Sequence, residues 1–450
     1  MNGNRMKTAL IRIFLGVTIL LLAGYGESPA AIPRVTRMVL NENQMTVLFA
    51  EQHTLPFVTF NLLIDAGAWR DPEGKGGLAN LAAEAILLGT KDRDFDAINR
   101  ELDFLGAELS TECGRDFVTV TLRVLKKNLD QGLALFFDVL FNPAFPPEQV
   151  ERKLREIEAG VRSLQDQPEE VAERNFIQAL FRENPYGHPV EGTTESLARI
   201  APEDAARFYR ETWQPGNAVL AVVGDLTQEE LESAVLSRMR KWPSGKIAEK
   251  RFKTIFVESP EPVRVDRPIS QATVILGHPG IERSHPDYYA VSVMNQVLGG
   301  GGFTSRLMKE IRVKRGLAYA TVSFFVPGKF PGSFQILLQT KNSTATEAIR
   351  IALDEMRKMK TAPPTDPEIE TAKNYLIGSF PMRFDTQAEL SEVLVQVEYY
   401  GLGLDYFEKY PDYIRAIDRQ AVHRAAEKYL MPDRVISSIV ADMGKTDLGK

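Results

Sequence analysis

The chain has 450 residues, 44% hydrophobic and 25% charged, with 32 Gly and 26 Pro; this is the usage of a globular protein of two or three domains and excludes collagen-like, linker-like and multi-span membrane sequences. Its 54 basic residues against 60 acidic ones leave a net charge of −6, so the overall positive field of a nucleic-acid binder is absent. The one cysteine, Cys113, cannot close an internal disulfide, and the five histidines (His53, His188, His278, His285 and His423) include no pair spaced four apart.

At the start of the chain, Arg5, Lys7 and Arg12 lead into an apolar run from Ile13 to Gly26, and Ser28-Pro29-Ala30 follows with small residues. A basic start, an apolar centre and a small-residue end predict an export signal over residues 1–30. The run is about 14 residues, short of the ~20 of a membrane-spanning helix. The mature chain is therefore expected to be periplasmic or secreted, with no membrane contact beyond the signal unless the signal stays as an anchor. Scarcity of cysteine suits an oxidising compartment.

Downstream, a strand over Leu62–Gly67 precedes a small-residue helix over Gly76–Thr90, and a set of landmarks then occurs twice at offsets of about 210 to 220 residues, the mark of a duplicated domain. Gly106-Ala-Glu-Leu109 matches Gly316-Leu-Ala-Tyr319, and alternating strands follow at Phe117–Leu125 and Gly332–Gln339. Amphipathic helices open after Lys127-Asn128 and Lys341-Asn342, and further helices at Pro147-Glu148 and Pro367-Glu368, the latter with Asp366 as N-cap. Each half closes in a proline followed by a β-rich run ending in Asp, Pro215–Asp225 and Pro432–Asp442. The predicted organisation is a domain over residues 33–242, a charged, proline-dotted linker over 243–268 and a second domain over 269–445. Each half reads strand, strand, helix, strand, helix, helix, strand. The class is α+β: two homologous tandem domains, each a mainly antiparallel sheet covered by helices, enclosing a concave face.

The segment Gly76–Thr90, GGLANLAAEAILLGT, resembles the zinc helix of the insulinase/pitrilysin metallopeptidase family, which includes the mitochondrial processing peptidase and two-domain bacterial members. There an H-x-x-E-H motif sits between Gly-Leu-Ala and Gly-Thr, as Gly77-Leu78-Ala79 and Gly89-Thr90 do here. The motif itself is missing: Asn80 replaces the first histidine, Ala83 the catalytic glutamate and Glu84 the second histidine. Two histidines four apart share one helix face and hold zinc while the glutamate between them polarises water, so Asn80 and Glu84 make a poor site. The third ligand of the family falls near Ala159-Gly160, with Glu156 and Glu158 close but in no certain register. No metal is expected in this chain, and Asn80 and Glu84 are expected to be solvent-filled remnants.

The second half keeps the other functional segment of the family in Gly299–Ala320, GGGGFTSRLMKEIRVKRGLAYA. The resemblance implies that Arg312 and Tyr319 bind the peptide backbone and stabilise the oxyanion, roles suited to a fixed guanidinium and a phenol donor. Arg312 is expected in the last turn of a helix over Ser305–Lys314, Gly316 breaks it, and Tyr319 starts a strand. Gly299, Gly300, Gly301 and Gly302 resemble the substrate-contacting glycine-rich loop of the family's non-catalytic subunit; a helix end and turn needing positive φ is the alternative. Arg306 and Lys309 read as solvated helix charges, Cys113 as a buried small hydrophobe, Asp65 and Asp71 around Trp69 as a packed hairpin end, Pro185–His188 and Gly192-Thr193 as framework, and His278 and His285 as exposed loop residues.

In bacterial two-domain relatives, a clamshell chamber combines the zinc helix of one subunit with the Arg/Tyr pair of the other. The resemblance thus implies a non-zinc subunit, half of a clamshell, pairing with a zinc-bearing homologous subunit to act on peptide substrate, with zinc in the partner. An inactive peptide-binding or scaffold protein of the same fold is the alternative.

Overall fold

The computed structural model describes residues 34–182, 184–245, 247, 252 and 261–446. The expected export signal and half of the expected linker lie outside the described residues. The first sheet contains β1 (Thr36–Val39), β2 (Thr46–Glu51), β3 (Phe57–Ile64), β4 (Glu108–Cys113), β5 (Val118–Leu125) and β6 (Ala218–Gly224), in the order β1-β2-β6-β3-β5-β4. The second contains β7 (Val263–Asp266), β8 (Gln271–Pro279), β9 (Ala318–Val326), β10 (Ser333–Lys341) and β11 (Ile436–Ala441), in the order β7-β11-β8-β10-β9. Apart from β1 the two orders match strand for strand, down to one parallel pair in each, β2 with β6 and β7 with β11. Sequence dictates strand position: the apolar run of β6 is buried along its whole length at mid-sheet, whereas β4 alternates exposed and half-buried residues at an edge.

The α-helices of eight or more residues in the first half are α1 (Leu78–Ala85), α2 (Phe95–Leu105), α3 (Leu129–Phe141), α4 (Pro147–Leu164), α5 (Pro168–Phe181) and α6 (Pro202–Thr212). Those of the second are α7 (Tyr288–Asn295), α8 (Ala345–Thr361), α9 (Asp366–Ser379), α10 (Gln387–Tyr399), α11 (Tyr406–Arg415) and α12 (Arg419–Tyr429). Gly106 and Gly316, paired by the repeat, both adopt left-handed backbone (φ 57° and 62°) where the chain turns into the edge strands β4 and β9.

Equivalent helices are exchanged between the halves. α5 of the first half packs on β8 and β11 of the second sheet, and α10 of the second half packs on β3 and β6 of the first. Close approach of α5 requires Gly277, where a Cβ would stand 2.4 Å from Phe176 Cζ. The seam is tied by polar groups. Buried Asp65 accepts from Arg70 Nη2 (2.7 Å) and Trp69 Nε1 (3.2 Å) of its own half, and from Lys329 Nζ (2.8 Å) and Tyr399 Oη (3.0 Å) of the other. Buried Asp116 accepts from Tyr186 Oη, from Lys329 N (2.7 Å) and from Tyr400 Oη (2.9 Å).

Several sequence expectations are corrected. β7 lies inside the span read as linker, and Phe252 from the same span packs 4.2 Å from Phe330 and 5.3 Å from Tyr186, ring centre to ring centre. The first half has a further hairpin strand, β4, antiparallel to β5, beyond the predicted strand order. Thr365, rather than Asp366, caps α9 in a capping box with Glu368. Arg306 is not a solvated charge: it donates twice to Glu368, at 2.7 and 2.9 Å, and with the capping bonds holds that carboxyl near 2 despite its burial. His278 is not an exposed loop residue: it lies in β8 with no accessible surface, its ring stacked 4.7 Å from Phe334 and its Nδ1 2.8 Å from the carbonyl of Pro279.

Burial lowers the His278 pKa to about 4. The unfolded chain takes up this proton below a pH of about 6.5 and the folded chain resists to about 4, so stability falls as pH drops through that window, by about 3 kcal/mol for this residue at most. Denaturant unfolding followed from neutral to mildly acid pH should show a smaller acid loss in His278→Phe than in the wild type. An equal loss would remove His278 as its source.

Candidate functional site

The first half presents α1 as a packed helix with an altered outer face. Asp71 caps it, its two carboxylate oxygens accepting from Gly77 N (2.8 Å) and Ala79 N (2.7 Å). Ala79, Ala82, Ala83 and Ala85 are fully buried, so the residue at the family's catalytic glutamate position has become part of the core. Asn80 and Glu84, one turn apart, remain half-exposed, and Asn80 Nδ2 donates to Glu84 Oε1 at 3.1 Å.

The face they form is occupied by a cation of the protein itself. Lys153 Nζ, from α4, stands 3.3 Å from Glu84 Oε2 and donates to Glu156 Oε1 at 3.0 Å. Burial alone would lower the Lys153 pKa, but Glu156 and Glu84 outweigh it and raise it, so the ammonium stays charged. This corrects the expectation of solvent-filled remnants. Of the two glutamates near the third-ligand position, Glu156 joins the cluster through Lys153, and Glu158 pairs with Arg162 at 2.6 Å. An amide, a carboxylate already neutralised by ammonium and an alanine do not fit zinc, and the described residues hold no group of three His, Cys, Asp or Glu able to take a metal. Cys113 is partly buried in β4, its thiol pushed well above the usual range by burial.

The second half brings its candidates together. Arg312 ends a helical stretch in a π-helical turn over Met308–Val313, and Tyr319 is the second residue of β9, as expected. The turn at Gly316 folds them onto each other, with the Arg312 guanidinium carbon 5.2 Å from the centre of the Tyr319 ring. Glu310, the only carboxylate in residues 299–320, is bound by Lys314 (2.5 Å) and Arg315 (2.7 Å), so Arg312 has no ion-pair partner among the described residues. Tyr319 is 71% exposed. An unpaired guanidinium beside an accessible phenol is suited to binding a carbonyl or a developing oxyanion.

The four glycines divide by role. Gly299 is buried against β9, where a Cβ would lie 2.4 Å from Ser323 Oγ, and Gly302 takes a left-handed φ of 53° in the turn beyond. Gly300 and Gly301 link the two. No hydrogen bond, ion pair or ring contact among the described residues joins this group to Asn80 or Glu84. Two participants escaped the sequence reading: Lys153, whose spacing to Glu156 showed only an ordinary helical ion pair, and Phe303, hidden at the end of the glycine run.

Two tandem α+β halves, a helix in the zinc-helix position without the motif histidines and an Arg/Tyr pair in the second half together define the class of a metallopeptidase-type fold. The chain belongs to the insulinase family (peptidase family M16): residues 46–194 match the model described as insulinase (peptidase family M16), and residues 199–376 match the one described as peptidase M16 inactive domain. Its relatives include a protein named non-peptidase homolog YmxG from Helicobacter pylori, 27% identical over 89% of this chain and 90% of that one. They also include the mitochondrial-processing peptidase subunit beta of Blastocladiella emersonii, 23% identical over 94% and 93%. A solved Pseudomonas fluorescens structure described as a peptidase M16 inactive domain superposes with a TM-score of 0.84 at 29% identity, covering 91% of this chain and 98% of that one.

If Lys153 neutralises this face, Lys153→Met should lower unfolding stability by up to about 1 kcal/mol, the range for partly exposed ion pairs. The deficit should shrink in high salt. Excess zinc should leave the wild-type unfolding midpoint unchanged; an upward shift would reveal a site for the ion.

Proposed function

We propose that this chain is the non-zinc subunit of a heterodimeric zinc peptidase of the periplasm, exported by its first thirty residues. It lends Arg312 and Tyr319 to peptide binding and oxyanion stabilisation in the active site of a homologous subunit that carries H-x-x-E-H. The observation that carries this reading is the contrast between the halves: the zinc-helix face is closed by Asn80, Glu84 and Lys153, whereas the Arg312 side chain makes no hydrogen bond or ion pair among the described residues and stands beside an exposed Tyr319. A protein serving only as a scaffold has no need of an unpaired guanidinium held against a phenol. The relative named as a non-peptidase homolog supports inactivity of the isolated chain.

The test is hydrolysis of a quenched peptide library by the purified mature chain, alone and mixed with a zinc-motif homologue from the same organism, with and without chelator. Activity is expected only in the mixture and is lost on chelation. Arg312→Ala should reduce it about 100-fold or more, the usual cost of removing an oxyanion donor, and Tyr319→Phe should also impair it. Hydrolysis by the chain alone, or a mixture indifferent to Arg312→Ala, would overturn the reading, and a stable but silent complex would favour the scaffold.

A further inference from the structure

Arg312 touches a second ring. Its guanidinium carbon lies 5.1 Å from the centre of the Phe303 ring, nearly the same distance as from Tyr319. Phe303 is 64% exposed, among the most exposed large apolar side chains of the described residues, so its position is not explained by core packing. The turn carrying it is nonetheless well held. Thr304 Oγ1 donates to the Gly301 carbonyl and Ser305 Oγ to the Gly302 carbonyl, each at 2.7 Å, and the backbone N–H groups of Thr304 and Ser305 bond the same two carbonyls. Gly302 supplies the left-handed turn and Gly299 lets the preceding segment lie directly on β9.

We infer that Phe303 is a positioning residue that, with Tyr319, clamps the Arg312 guanidinium between two aromatic faces, orienting it while leaving its N–H donors free for a peptide carbonyl or carboxylate. This rests on the shared-site reading above. The physical reason is that a carboxylate partner would orient arginine by consuming its donors, whereas a ring attracts the face of the guanidinium and leaves its edge open. The glycine run then acts on substrate through Arg312, by setting the place of Phe303.

The clamp is tested first without catalysis. In protein labelled with ¹⁵N-arginine, the Arg312 Nε–H resonance, identified by its loss in Arg312→Lys, should be shifted upfield by ring currents. Phe303→Leu should return it toward the free-arginine position, and Phe303→Tyr should preserve it. In the peptide assay with the zinc-motif homologue, Phe303→Leu should lower kcat/KM roughly three- to tenfold, mainly through kcat, with Phe303→Tyr restoring it. A resonance unmoved in Phe303→Leu overturns the clamp whatever the activity. A moved resonance with full activity, while Arg312→Ala is inactive, overturns its role in function. Indifference to Arg312→Ala overturns the shared-site reading alone, and the resonance still decides the clamp.

Discussion

The fold depends on two carboxylates buried where its halves meet. Moving Asp65 and Asp116 out of water costs several kcal/mol each unless their oxygens are fully bonded, and here the donors come from both halves. Burial alone would lift the Asp65 carboxyl, and Arg70 and Lys329 more than reverse it, holding it ionised. Asp116, with no such pair of cations, is raised by its burial. Sliding one sheet past the other would strand a buried charge, so the seam forms as a unit. Lys329 and Tyr399 report the position of the second half to Asp65 in the first, and the exchanged helices α5 and α10 fill the remaining space with apolar side chains.

This seam makes one body of a duplicated sequence, and it leaves the edge strands β4 and β9 at equivalent places in the two sheets. Each edge strand follows a helical segment and a left-handed glycine, Gly106 or Gly316. The fold therefore delivers whatever precedes and begins β9, namely Phe303, Arg312 and Tyr319, on a rigid frame. An arginine with free donors is useful only if its direction is set, because an exposed side chain of that length otherwise samples many rotamers. The two rings and the bonded turn around Gly301 and Gly302 supply that direction locally.

Much of this was legible in the sequence, and the reason is local. The repeated glycines, prolines and β-rich runs mark chain reversals and strand ends, which depend on backbone conformation and carry over to the structure position by position. The place of Tyr319 behind Gly316 was legible for the same reason. What could not be read depends on long-range pairing. Nothing near Phe176 announces that it rests on Gly277 a hundred residues away. His278 looks like a loop histidine until β10 and β11 flank its strand, and Arg306 looks solvated until α9 brings Glu368 beside it. The charge-dotted segment before β8 hides β7 because a four-residue strand has too few alternations to register without its partner β11. Lys153 could not be linked to Glu84 because the contact joins two helices.

The altered zinc helix shows why such a subunit remains folded. The buried side of α1 consists of alanines and leucines, and its N-terminus is satisfied by Asp71, so the helix is held by packing and capping that involve, of the three substituted motif positions, only 83. At 83 the change runs with the fold: a fully buried alanine costs nothing to desolvate, whereas a carboxylate there requires a metal-bound water or a donor to offset its burial. At 84 the side chain is a carboxylate, and Lys153 supplies the positive charge beside it. Chemistry can therefore be removed from this half without loosening it. The second half differs in kind, since Phe303, Arg312 and Tyr319 lie largely outside the core and add little to its stability. Phe303 and Tyr319 leave apolar surface exposed that packing does not cover, and Glu310 is drawn away from Arg312 to Lys314 and Arg315.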